Sequence, residues 1–220
     1  MSGFTGFNPG VAKNEITNFY RMMNTIENDY YLGAYYLFMN LHDIWCSEKA
    51  IEFYNNNAQK TMDLDNEFIN EINRITSKAI EAYNKIALAN DSMAFNDLLV
   101  PSNLDVNKDY DAESCFPILN SADPNSGIVG MNVKEVENEL NTYLSSMNKV
   151  IASLDDVPTE IALFDPDGSL QEAYRSLIDK MKGKIPERIT AVKSDIQDAI
   201  KTEQDTTILA KQQATEILEG

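Results

Sequence analysis

A chain of 220 residues, 43% hydrophobic and 24% charged, has length for one large domain or two small ones and is too apolar to remain unfolded. Its formal net charge of -17 argues against nucleic acid and against an anionic membrane surface, because both select for clustered Lys and Arg. The opening MSGFTGFNPG lacks the basic and apolar regions of a secretory signal, and no stretch approaches the roughly 18 apolar residues of a membrane span, so neither a cleavable signal peptide nor stable membrane insertion is expected.

Helical periodicity begins at Glu15. Ile16, Met23, Tyr30, Leu37 and Ile44 recur every seven residues, and Phe19, Ile26, Ala34 and Leu41 fill the second position of each heptad. This spacing predicts one long helix with a narrow apolar seam. Gly33 lies beside the seam, where it costs helix stability but leaves room for a neighbouring helix. After Trp45, Ser47 is a candidate N-cap for a second helix reaching Ala89, with Ile51, Tyr54, Ala58, Met62, Phe68, Ile72, Ile75, Ala79, Tyr83 and Ile86 on one face. Such a helix would span about 65 Å at about 1.5 Å per residue, and it has to pack on a partner to cover its seam.

From Asn90 to Gly130 the pattern breaks at Pro101, Pro117, Pro124, Gly127 and Gly130. Phe95, Leu98, Leu99, Phe116, Ile118 and Leu119 nevertheless predict a crossover that packs on the helices, not a loose linker. Asn132 and Glu135 form a capping box ahead of a seam through Val136, Leu140, Tyr143, Met147, Val150 and Leu154 that stops before Pro158. Ser169 and Glu172 form another, opening a helix with Leu170, Tyr174, Leu177, Met181, Ile189, Val192, Ile196 and Ile200 that heads towards Gly220. Gly183 and Pro186 are expected to kink or briefly break that helix.

The expected fold is all-α: two long antiparallel helical hairpins packed as an elongated four-helix bundle and joined by a long crossover. The first hairpin covers 1–90 with its elbow at 44–47, the crossover 91–130, and the second hairpin 131–220 with its elbow near 155–168. LHDIWCS from Leu41 and LFDPDGS from Leu163 share the pattern L-x-D-x-x-x-S between periodic helices, which points to a tandem repeat.

Chemistry is sparse. His42 is the only imidazole in the chain, and the elbow interrupts the helix face that His42 and Cys46 would share as a nucleophilic dyad. A closed zinc site needs more ligands than His42, Cys46 and Cys115, and a di-iron bundle needs a second His. Asp165 and Asp167 in FDPDG are out of register with an EF-hand loop and fit a proline turn leading into a helix cap. Cys46 and Cys115 fit reduced structural thiols, with pairing left open for an exported protein. The acidic runs Asp63, Asp65, Glu67 and Asp195, Asp198, Glu203 read as solvated helix faces. Tyr30, Tyr31, Tyr35 and Tyr36 cover more than one helix face and mark either a wide buried stripe or a partner surface. No catalytic, cofactor or metal-binding residue is assigned, and no enzyme activity is expected.

The stretch IWCSEKAIEFYNNNAQKTM between two long amphipathic helices resembles the WXG-motif family, the helical-hairpin substrates of type VII (ESX) secretion systems. The family's Trp-x-Gly turn is matched by Trp45, Cys46 and Ser47, with Ser in place of Gly, and Ala50, Phe53 and Tyr54 suit the pattern that follows. The likeness covers residues 10 to 90; the second hairpin, with Pro166, Asp167 and Gly168 at its elbow, matches by architecture alone. Family members commonly dimerise, so two hairpins on one chain imply a monomer with an internal pseudo-dimer. The resemblance further implies a non-enzymatic protein, cytoplasmic before export and secreted without a cleavable signal. Its partners would be the helical region of a secreted effector or the secretion machinery. The family's export signal, a Tyr with Asp or Glu four residues on, is absent; Asp179 follows Tyr174 by five. The alternative, from another class, is a structural bundle of a phage or surface assembly.

Overall fold

The computed structural model describes residues 8–89, 104, 107–123, 129–158, 160, 165 and 167–219, of which 216, 218 and 219 are described by their backbone only. Among them the chain is an all-α helical bundle. The long helices are α1 (Pro9–Ile44), α2 (Glu48–Ala89), α4 (Val133–Asp155) and α5 (Ser169–Glu219), with the short α3 (Ala112–Cys115) between them. Two short strands, β1 (Trp45–Cys46) and β2 (Gly130–Met131), pair antiparallel. Of the predicted features, Pro166 of the second elbow and Phe95, Leu98, Leu99, Pro101, Pro124 and Gly127 of the crossover lie outside the described residues.

Local chemistry sets each helix start. α1 begins at Pro9, ahead of the predicted Glu15, because Asn8 caps it: its Oδ1 accepts from the Val11 amide at 3.2 Å and its carbonyl from Ala12 at 3.1 Å. Proline at the first helical position loses nothing, since that amide has no helical acceptor. α4 is capped by Asn132 as expected, the Glu135 amide reaching its Oδ1 at 3.4 Å. α5 departs from expectation. Ser169 is already helical, and the capping acceptors are carboxylates: Asp167 Oδ1 takes the Ser169 amide at 3.0 Å and Asp165 Oδ2 the Gln171 amide at 2.7 Å. Acceptors of negative charge suit the positive end of a helix dipole better than a hydroxyl does. Gly168 turns into this start at φ 80°, a conformation that glycine adopts without steric cost.

α5 then continues past Gly183 and through Pro186, so of the expected kink or brief break the break does not occur. The missing proline hydrogen bond costs stability, but Met181, Ile185, Ile189 and Val192 on both sides of it are buried, and that packing holds the helix together.

The chain divides into two compact units that cut across the hairpins. Unit 1 comprises Met1–Asp29, Leu64–Asp109 and Val150–Lys184; unit 2 comprises Tyr30–Asp63, Tyr110–Lys149 and Ile185–Gly220. In unit 1 the core is built from Ile16, Phe19, Met23 and Ile26 of α1, Phe68, Ile72, Ile75, Ala79 and Tyr83 of α2, and Leu170, Tyr174, Leu177 and Met181 of α5, all buried. In unit 2 it is built from Tyr30, Ala34, Leu37 and Leu41 of α1, Tyr54, Ala58 and Met62 of α2, Val136, Leu140, Tyr143 and Met147 of α4, and Ile189, Val192, Ile196 and Ile200 of α5.

Within unit 2, Phe38 of α1 packs on Phe53 and Tyr54 of α2 with ring centroids 5.7 and 5.8 Å apart, so the two helices leave their common elbow antiparallel. α4 lies antiparallel to α1 in the same unit. Asn40 donates to Glu139 Oε2 at 2.7 Å, and further back along α1 Gly33 faces Met147, where a Cβ on Gly33 would overlap the Met147 methyl. The predicted close approach at Gly33 is thus made by α4. The described part of the crossover packs on α2 as expected: Lys108 pairs with Asn70 in unit 1, and in unit 2 Ala112 donates to Gln59 and Phe116 accepts from the Tyr54 hydroxyl.

Candidate functional site

The elbow between α1 and α2 is built around the only Trp of the chain. Trp45 is fully buried, and its ring lies 5.4 Å from that of Phe53 on the first turns of α2. Its indole N–H, buried with the ring, needs an acceptor and finds Ser47 Oγ at 2.9 Å. The same oxygen accepts from the Ala50 amide at 3.3 Å, while the Ser47 carbonyl takes the Ala50 and Ile51 amides. Ser47 therefore caps α2 and satisfies the tryptophan at once.

A second segment clasps the turn. Trp45 pairs with Met131 and Cys46 with Gly130, and the Asn132 amide donates to the Ile44 carbonyl at 2.9 Å. Gly130 sits at φ 147°, open only to glycine. The start of α4 is thereby tied to the elbow of the first hairpin, a link that strands of two residues do not announce in a sequence.

Beside the elbow runs an aromatic band in unit 2. Phe116 from the crossover stacks on Phe38 at 4.7 Å and on Tyr31 at 6.1 Å; Tyr31 stacks on Tyr35, and Tyr35 meets Tyr36 edge-on. The tyrosine cluster is split between core and surface. Tyr30 is fully buried, so it belongs to the stripe and not to a partner surface, Tyr31 and Tyr35 are half-buried, and Tyr36 is 53% exposed next to Met39 at 44%. At the second elbow, in unit 1, Asp167 and Gly168 are exposed and Asp165 is half-buried, its role being the cap described above.

His42 and Cys46 do not form a dyad. The His42 ring takes Asp43 Oδ1 on Nδ1 at 2.8 Å and the Asn120 amide on Nε2 at 3.3 Å, a pattern satisfied by a neutral ring protonated on Nδ1. Among the described residues Cys46 Sγ donates to the His42 carbonyl, at 3.9 Å, and not to the imidazole. Burial, with the negative charges of Asp123 and Asp43, pushes the Cys46 thiol up, which disfavours the thiolate a nucleophile requires. Cys46 and Cys115 are not bridged. Among the described residues no group of three His, Cys, Asp or Glu converges as a metal site would demand, and no helix is long and apolar enough to cross a membrane.

Two polar clusters escaped the sequence reading. Asp65, expected on a solvated face, is 3% exposed and hydrogen-bonds the equally buried Glu27 inside unit 1. In unit 2 Asn57 is fully buried; its amide donates to the Phe53 carbonyl and to Asp195 Oδ2 at 2.7 Å, and its Oδ1 accepts from Arg188. The signal was present: Asp65 stands three residues from Met62 and three from Phe68, inside the seam.

Beyond Ile200 no described side chain of α5 is buried. Residues 204–215 of α5 are exposed throughout, with Ile208 at 54% and Leu209 at 58%, and Thr202, Thr206, Thr207 and Thr215 turn their hydroxyls back to carbonyls four residues earlier. A solvated helix of this length is marginal on its own.

No protein-family model, curated protein or solved structure matches the chain.

Proposed function

We propose that this is a non-enzymatic helical protein of a type VII secretion pathway, acting as a leaderless substrate or as the targeting partner of a larger secreted effector whose helical region pairs with it. The observation that carries the reading is the elbow: a buried Trp45 joined through Ser47 to the cap of α2, at the turn between two long antiparallel helices. A buried tryptophan at the turn between two helices supports the likeness to a Trp-x-Gly turn, and Ser47 departs from the family's glycine by giving the indole N–H a hydroxyl acceptor.

Two further features support a helical partner. The exposed length of α5 carries Ile208 and Leu209 at the surface, and exposed Tyr36 and Met39 continue the aromatic band to the surface. Exposed apolar side chains on a helix are the usual means of helix-to-helix recognition. In the same reading the second hairpin takes the place of a dimer partner within one chain, and the protein is cytoplasmic until exported.

Fractionation of the source cells tests this. Wild-type cells and cells without the secretion ATPase are blotted for the chain in pellet and medium. ATPase-dependent appearance in the medium identifies a substrate, and ATPase-dependent co-isolation with an exported protein identifies a targeting partner. Retention without either would contradict the proposal and favour the structural-bundle reading.

A further inference from the structure

Helix cores exclude charge, yet α1 and α2 each place a carboxyl inside unit 1. Glu27 and Asp65 are 6% and 3% exposed and hydrogen-bond each other. A carboxyl can donate to a carboxylate only when one of the two is protonated, so this contact holds a proton by construction. Among the described residues no N–H or O–H donor other than the shared proton reaches the buried Asp65 Oδ1, so the charge is not steadied at that oxygen if the proton leaves.

The surrounding charges do not compensate. On α1, Tyr20 is the neighbour that Glu27 influences, and its phenol is pushed up by burial and by that charge; Arg21 is exposed. On α2, Glu67 engages Lys180 and Lys184 of α5, and Arg74 engages Glu71. On α4, Asp155 engages Lys182 of α5. Burial first, and each other next, are what shift the pair, with no basic side chain contributing.

We propose that Glu27 and Asp65 form a proton-dependent latch between α1 and α2 of unit 1, closed while the pair keeps its shared proton and released when the proton is lost. The direction follows from linkage. Burial raises both carboxyls above their ordinary range in the folded chain, so the native state keeps a proton that the unfolded chain gives up. The contribution to stability is complete below the ordinary carboxylate range and disappears as pH rises through the raised values. The chain is therefore tightest in acid and loosens towards alkaline pH, the opposite of what an exposed ion pair of a carboxylate and a lysine produces.

The test uses the full chain. Carboxyl-carbon NMR across a pH series reads Glu27 and Asp65 directly, and thermal melts of wild type and the E27Q/D65N variant are compared between about pH 5 and about pH 9. The expected result is that both carbons titrate above the remaining carboxylates, and that the wild-type melting temperature falls by several degrees more than that of the variant. General repulsion from the acidic surface is common to both proteins and cancels. Titration of both carbons with the ordinary carboxylates would overturn the proposal, and so would equal pH slopes in the two melts. If the variant fails to fold, the wild-type carbon titration decides alone.

Discussion

The Trp45 indole N–H donates to Ser47 Oγ at 2.9 Å, and that single oxygen also receives the Ala50 amide that opens α2. A core contact and a helix cap are therefore one structural feature, so damage to either residue reaches both. The reverse turn of the first hairpin, its burial and the start of α2 stand or fall together.

Trp45→Ala is expected to cost about 3–5 kcal/mol, the range for emptying a large aromatic site in a packed core. Trp45→Phe keeps most of the ring contact with Phe53 and removes the indole donor, so its cost should be a fraction of that. Urea unfolding followed by far-ultraviolet circular dichroism ranks the two; equal midpoints for Ala, Phe and wild type would refute the buried elbow.

At Ser47 the cap and the indole acceptor separate experimentally. Ser47→Gly retains a serviceable N-cap, within a few tenths of a kcal/mol, but leaves a buried indole N–H unpaired at about 1–3 kcal/mol. Ser47→Ala loses the cap as well and should be the less stable by about 1 kcal/mol. The measurement is the order of urea midpoints at constant slope, and a glycine variant as stable as wild type would remove the dual role of the hydroxyl.

Gly33→Leu should be net destabilising by about 1–2 kcal/mol: it gains up to about 1 kcal/mol of helix propensity, but its Cβ displaces the end of the buried Met147 side chain of α4 and its branched end adds volume to a packed contact. Shortening the neighbour should recover part of the loss: the double variant G33L/M147A is expected to melt above the sum of the two single effects. Strict additivity in that cycle would mean that the two positions do not touch.

Deleting 203–220 removes no buried side chain of the described residues, since the α5 seam ends at Ile200. Its unfolding free energy should stay within about 0.5 kcal/mol of the full chain, with a loss of helical signal in proportion to length. Under the proposed function the same deletion abolishes pairing with the helical partner. A large drop in stability would show that this length packs on the rest of the chain.

Much of the fold was legible because position and side-chain type agreed. In α1 the seven-residue series from Ile16 to Leu37 and the second series from Phe19 to Leu41 are both buried, as are all six seam residues of α4 from Val136 to Leu154. Where they disagreed, residue type misled. The charge of Asp65 points to solvent although its spacing places it in the seam, whereas the heptad position of Tyr30 already marks it as core within the tyrosine cluster. Ser169 resembled a cap, but Asp165 and Asp167 just upstream offered stronger acceptors for the amides of α5. The β1–β2 clasp depends on two residues meeting two others across more than eighty positions, a pairing with no local periodicity to betray it. At the first elbow the Ser47 cap is legible from residue type and position, whereas its second role as acceptor for the Trp45 indole emerges only in the structure.

The most direct measurement compares ATPase-dependent release of the wild-type chain with that of Trp45→Phe, the substitution that keeps an aromatic ring in the elbow while removing the indole hydrogen bond and part of the buried volume. Release into the medium, or passage with an exported partner, that requires the ATPase and is reduced in the Phe variant is the result expected. Identical distribution of both proteins with and without the ATPase would contradict a role for this elbow in type VII export.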